Sequence, residues 1–196
     1  MKKVSDIHAI KIIFFITACY VGLWAIRIPT IKDQLQTDYV GVGYIMLSFA
    51  IGSIVAMIFA NALILKTSTK SILTFTLIAE GCLWLPVPFI QELWLFMVFS
   101  FVFGMSYGAF EIACNVYASN LEVREKKSMM SGFHAFWSLG VLFGSLITSF
   151  LLEWNYSFIF NILLYVIILL PLSLYFVLCL ESVSYTHLRA HETVDY

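Results

Sequence analysis

Apolar residues in this chain fall in long unbroken runs, neither alternating nor confined to one helical stripe. A helix needs about 20 residues to cross the hydrocarbon of a bilayer. Six runs reach that length: residues 7–28, 40–65, 71–90, 93–121, 129–152 and 156–180. Membrane-spanning strands would alternate lipid-facing with inward-facing residues, so continuous runs predict helices. The separators are short and hold the breakers or charges: Pro29 to Asp38, Lys66 to Lys70, Pro86 to Glu92, Glu122 to Ser128, and Glu153 to Asn155. The expected fold class is all-α, a polytopic domain of six transmembrane helices.

Composition agrees, with 61% hydrophobic residues, 12% charged residues and a mean hydropathy of +0.93. A soluble domain is about half apolar and about a quarter charged. The net charge of -1 leaves no basic stripe to follow phosphates, so nucleic acid is not an expected partner and the lipid bilayer is. Lys2, Lys3, Lys66, Lys70, Arg124, Lys126 and Lys127 fall at the N-terminus and in the second and fourth separators. The other separators and their edges offer only Arg27 and Lys32, so the positive-inside rule places the N-terminus and Glu181 in the cytoplasm. Lys2 and Lys3 ahead of an apolar run resemble a signal peptide, but no small-residue cleavage site follows, which predicts an uncleaved first span.

Cys19, Cys82, Cys114 and Cys179 lie in apolar runs without a CxxC pair or a neighbouring His cluster. Neither a disulfide framework, a metal site nor a cofactor is expected from them. The stretch from Val183 to Thr193 differs in texture from everything before it and resembles a translated transposase-type sequencing adaptor. The expected domain is therefore residues 1–181, with 182–196 a non-native, disordered tail and the natural protein continuing past Glu181. The rival reading is a cytoplasmic tail whose His187 and His191 form a metal pair at helical spacing.

Candidate chemistry lies inside the spans. Glu111 sits deep in the fourth, where a charge costs at least ~2.5–3.5 kcal/mol, and such residues usually mark solute or proton pathways. The alternative is a structural Glu held between helices. Gly104, Gly108, Glu111 and Asn115 are spaced to share one helical face; the glycines suit close helix approach, and Asn115 lies one turn from the acid. His134, in the fifth span, suits proton coupling or a polar solute, with an interhelical hydrogen bond as the plain alternative. Gly140 and Gly144 form a second close-packing pair. Arg27 is either an interfacial cation or, if the first helix runs through Pro29, a bundle residue able to pair with a carboxylate. Glu80 is a second deep acid with nothing in the sequence to suggest a shared site. No catalytic residue is expected. An intramembrane hydrolase would have to use Ser138 or Ser145 with His134, and His134 and Ser138, one turn apart on one helix, make a poor base and nucleophile.

Six spans with a cytoplasmic N-terminus, a basic second loop and glycine-rich fourth and fifth spans resemble the N-terminal half of a major facilitator superfamily transporter. The stretch Trp24-Ala25-Ile26-Arg27-Ile28-Pro29-Thr30-Ile31-Lys32 resembles a first-span motif of small bacterial permeases. Phe110-Glu111-Ile112-Ala113-Cys114-Asn115 is similar to the fourth-span motif of the fucose/proton symporter branch, where the matching Glu is implicated in proton coupling and sugar binding. The resemblance implies two inverted three-helix repeats in a bacterial inner membrane. It also implies convergence of Trp24, Arg27, Glu111, Asn115 and His134 near midplane, and transport of a small polar solute, with proton symport the favoured mode. A C-terminal half of the same protein would complete it, and this chain alone would not transport. Two departures stand out. Leu65 occupies the place of the usual second-loop Asp, which puts the inward charge relay in doubt. The sugar symporter's first-span acid has no counterpart, so sugar specificity does not carry over.

Overall fold

The computed structural model describes residues 5–181; residues 182–196, and with them the adaptor-like tail, lie outside the described residues. Six long helices follow in order: α1 (Asp6–Gln34), α2 (Tyr39–Lys66), α3 (Thr69–Trp84), α4 (Leu93–Glu125), α5 (Met130–Glu153) and α6 (Phe158–Cys179). A short 3-10 turn, Val87–Phe89, extends α3, and all six helices are long and apolar enough to cross a membrane. Side-chain oxygens of Ser5, Asp38, Ser68 and Ser157 cap α1, α2, α3 and α6 by accepting backbone N–H bonds. Helix α5 has no cap of its own. Glu122 of α4 supplies it, accepting from the backbone N–H groups of Met129 and Met130.

Two boundaries differ from the sequence expectation. Helix α1 passes through Pro29, predicted to open a separator, and ends at Gln34. Proline removes one backbone donor, but Ile31 and Leu35 are buried beyond it and Gln34 Nε2 donates to the carbonyls of Val87 and Ile90. Tertiary contacts outweigh the local penalty. Helix α4 runs to Glu125, so at 1.5 Å per residue it is about 50 Å long and projects beyond a ~30 Å hydrocarbon core.

The packing repeats itself. Helix α1 lies most extensively against α5 and α2 against α4, while α3 touches α4 and α6 touches α1. Exchanging α1 with α4, α2 with α5 and α3 with α6 leaves that pattern unchanged. Because α4 starts on the opposite side of the membrane from α1, the two three-helix units are inverted relative to each other. Hydrogen bonds follow the same exchange. Ser53 Oγ of α2 donates to the Gly104 carbonyl of α4 at 3.0 Å, and Ser145 Oγ of α5 to the Gly22 carbonyl of α1 at 3.5 Å.

All four glycines predicted to pack helices do so, against backbone. A Cβ on Gly104 or Gly108 would lie 2.1 or 2.4 Å from the carbonyl oxygens of Phe49 and Ser53 on α2. On Gly140 or Gly144 it would lie 2.2 Å from those of Phe15 and Cys19 on α1. Helices in lipid gain nothing from hiding apolar surface from each other, so close van der Waals approach holds them. Outward residues such as Ile54, Ile58, Phe75, Leu146 and Ile167 remain exposed, as a lipid-facing surface requires.

Gly108→Ala should therefore push α2 from α4 and lower stability by about 1–3 kcal/mol. Gly43→Ala, where an added Cβ meets nothing within 4 Å, should be neutral or stabilise by up to about 1 kcal/mol. Thermal unfolding of both variants in detergent checks this; equal midpoints would contradict the backbone-contact account.

Candidate functional site

Tight packing of α1 on α5 and of α2 on α4 leaves α1 and α4 in only sparse contact, and the internal space lies along that seam. Two cavities follow each other along the bundle. The larger, about 230 Å³, is walled by Tyr20 and Trp24 of α1, Phe49 of α2, Glu80 and Trp84 of α3, and Phe103 and Tyr107 of α4. The smaller, about 120 Å³, lies nearer the N-terminal end and is lined by Phe14 of α1, Glu111 and Asn115 of α4, and His134 and Trp137 of α5. Tyr107 belongs to both walls.

Of the five residues that the resemblance would bring together, Glu111, Asn115 and His134 line the smaller cavity. Glu111 lies ~3 Å past the middle of α4, is half-buried, and forms no ion pair among the described residues. The His134 ring stands edge-on to Phe14 with centroids 5.7 Å apart and is exposed toward the cavity side. Glycine packing sets this geometry. Where Gly104 and Gly108 meet α2, the α4 face is closed; one turn further on, the same face carries Glu111 and opens onto α1 and α5.

Trp24 and Arg27 do not join that group. Trp24 walls the larger cavity, packed between Trp84 and Phe96. Arg27 lines neither cavity. About 30 Å along α1, its guanidinium is buried at 2% exposure against the start of α6. There it donates from Nε to Asn161 Oδ1 at 3.1 Å and from Nη2 to the Tyr156 carbonyl at 3.3 Å. It also lies 5.3 Å from the Phe158 ring centroid. The carboxylate partner considered from sequence is a carboxamide instead. Arg27 fastens α1 to α6 at the end of the bundle remote from the N-terminus.

Sequence reasoning missed the role of Glu80. It is 7% exposed, near the middle of the apolar span Thr69–Phe89, beside Thr17, and it faces the larger cavity. Its depth was visible in the sequence, but its neighbours come from three other helices at distant positions in the chain.

At the N-terminal end, Arg124 gathers acids from two other segments: Asp6 at 2.9 Å and Glu181 at 3.1 Å, beside Glu125 of its own helix at 3.2 Å. Lys70 Nζ donates to the carbonyls of Leu178 and Leu180 at 2.8 and 2.7 Å. An ionic brace therefore exists without the missing second-loop Asp, built on Asp6 of α1. No metal-binding group of His, Cys, Asp and Glu occurs among the described residues. Ser138 Oγ donates to the His134 carbonyl rather than to its ring, and Ser145 Oγ to that of Gly22. Neither serine is presented as an activated nucleophile.

Six helices in two inverted repeats around two stacked cavities, the larger walled mainly by aromatic rings, have the form of a membrane carrier. The sequence profile of the Major Facilitator Superfamily matches residues 12–192, and the chain belongs to that superfamily of transporters. An uncharacterized MFS-type transporter of Yersinia pestis is 28% identical over 143 residues, covering 72% of this chain and 37% of that protein. An uncharacterized transporter of Sinorhizobium fredii is 25% identical over 141 residues, covering 67% of this chain and 35% of that protein. The chain thus spans little more than a third of the length of these relatives. No solved structure shows a significant match.

Asn161→Ala removes the Arg27 acceptor and should cost about 2–3 kcal/mol, whereas Asn161→Asp, which supplies a counter-charge, should keep or raise stability. Thermal unfolding in lipid nanodiscs checks the pair; an Asp variant as weak as the Ala variant would refute the fastening role.

Proposed function

We propose that this chain forms the N-terminal half of a proton-coupled secondary transporter for a small polar solute in a bacterial inner membrane. Its N-terminus is cytoplasmic, and a C-terminal half of the same protein completes the pathway. One observation carries the reading: Glu111, deep in α4, opens with Asn115 and His134 onto a cavity that offers it no fixed counter-cation. Ionisable side chains inside a span that line a cavity commonly mark a proton or solute pathway.

The roles follow from placement. Glu111 carries the coupling proton, His134 relays it toward the cytoplasmic side, and Asn115 orients the solute's polar groups. The stacked cavities supply an outer and an inner station, separated by Tyr107. Packed helices with two discrete arrangements, rocking as halves, alternate the access. The brace of Arg124 with Asp6 and Glu181 ties α4 to α1 and to the end of α6, holding the inner end of this half together as it moves.

Glu111→Gln in the full-length transporter, assayed in proteoliposomes with an imposed pH gradient, should abolish uphill accumulation while leaving downhill solute exchange intact. Undiminished accumulation driven by the pH gradient would sink the coupling role.

A further inference from the structure

The larger cavity has a composition that the proton-coupling role leaves unused. Its one carboxyl side chain is Glu80, and no Lys, Arg or His lines it. Its remaining walls are mostly aromatic: Tyr20, Trp24, Phe49, Trp84, Phe103 and Tyr107. Those rings are fixed against one another. Trp84 stacks on Tyr20 at 6.0 Å and meets Trp24 edge-on at 6.2 Å and Phe103 at 5.6 Å. Aromatic faces carry negative quadrupolar charge and attract cations that have shed their water. With no Lys, Arg or His on the same wall, the place of a counter-ion to Glu80 is left to an incoming cation.

A second observation is independent of charge. The indole Nε1 of Trp84 is buried and has no hydrogen-bond partner among the described residues, although Trp84 is only 1% exposed and lines the cavity. A buried donor left without an acceptor is costly, and a ligand oxygen removes that cost. Ser100, also buried on this wall, adds a hydroxyl. The cavity therefore has a cation-attracting box, one carboxylate and one idle donor.

We propose that this cavity is a binding site for a compact organic monocation bearing one hydroxyl or carbonyl acceptor. The onium group sits against Glu80 within the aromatic box, and the acceptor meets Trp84 Nε1. The proposal rests on reading the chain as part of a small-solute transporter and names the solute class. It excludes anions, which would meet Glu80 with no base to compensate. Zwitterions are disfavoured for the same reason, since their carboxylate finds only neutral donors.

Choline is the probe, with tetramethylammonium, glycine betaine and 3,3-dimethyl-1-butanol, the uncharged carbon analogue of choline, as comparators. Equilibrium binding of radiolabelled choline is measured on the 196-residue chain in lipid nanodiscs, with the others as competitors. Choline should bind best, tetramethylammonium more weakly, and betaine and the neutral alcohol poorly. Glu80→Gln should weaken choline by about thirtyfold or more. Trp84→Phe should weaken choline but not tetramethylammonium. Equal competition by the neutral alcohol would overturn the proposal on the unmutated chain alone, whatever the stability of the variants. Full choline binding by a folded Glu80→Gln would overturn it too, as would absence of choline binding. If no organic cation binds yet the full-length protein accumulates another solute with protons, only this proposal falls. If choline binds through Glu80 but the full-length protein moves no solute, the transport reading falls.

Discussion

Backbone pressed on backbone at a few glycines is the constraint from which the rest of this bundle follows. In water, helices are driven together by apolar surface leaving solvent; in lipid that drive is absent, and close contact must replace it. Gly104 and Gly108 let α4 touch the main chain of α2, and Gly140 and Gly144 let α5 touch that of α1. Hydroxyls of Ser53 and Ser145 hydrogen-bond across the same two crossings. With those pairs drawn tight, α1 and α4 stand apart, and the space between them becomes the two cavities. The packing that stabilises the fold also creates the cavities.

The ends of the bundle are tied by different chemistry. One end uses a charge network in which Arg124 meets the buried Asp6 and the exposed Glu125 and Glu181. The pairs of Arg124 with the exposed Glu125 and Glu181 are individually weak and readily broken. The other end uses a buried guanidinium satisfied by neutral groups, Asn161, Tyr156 and the Phe158 ring. Stripping partners from a buried charge is costly, so that join is the more permanent one.

Much of the architecture was legible before any coordinates. Run length and separator charge give six helices, because a bilayer imposes a fixed thickness and forbids unsatisfied backbone. The spacing of Gly104, Gly108, Glu111 and Asn115 gives a common face, because α-helical geometry is regular. Pro29 was misleading: its local preference is to end a helix, and contacts made by Gln34, Ile31 and Leu35 with other parts of the fold overruled it. Leu65 misled in another way. Its substitution for an acid suggested a missing brace, but Asp6, far away in sequence, stands beside Arg124.

By itself, then, the sequence determined that this is a six-span membrane domain and that Gly104, Gly108, Glu111 and Asn115 share one face of its fourth helix. Those conclusions depend on hydropathy, length and helical periodicity, all of them local properties. Only the tertiary structure decided that Arg27 joins Asn161 rather than an acid, and that Glu80 faces a box of aromatic rings contributed by four helices. Each depends on residues far apart in the chain meeting across helix crossings, and no periodicity within a single helix encodes which neighbour it will meet.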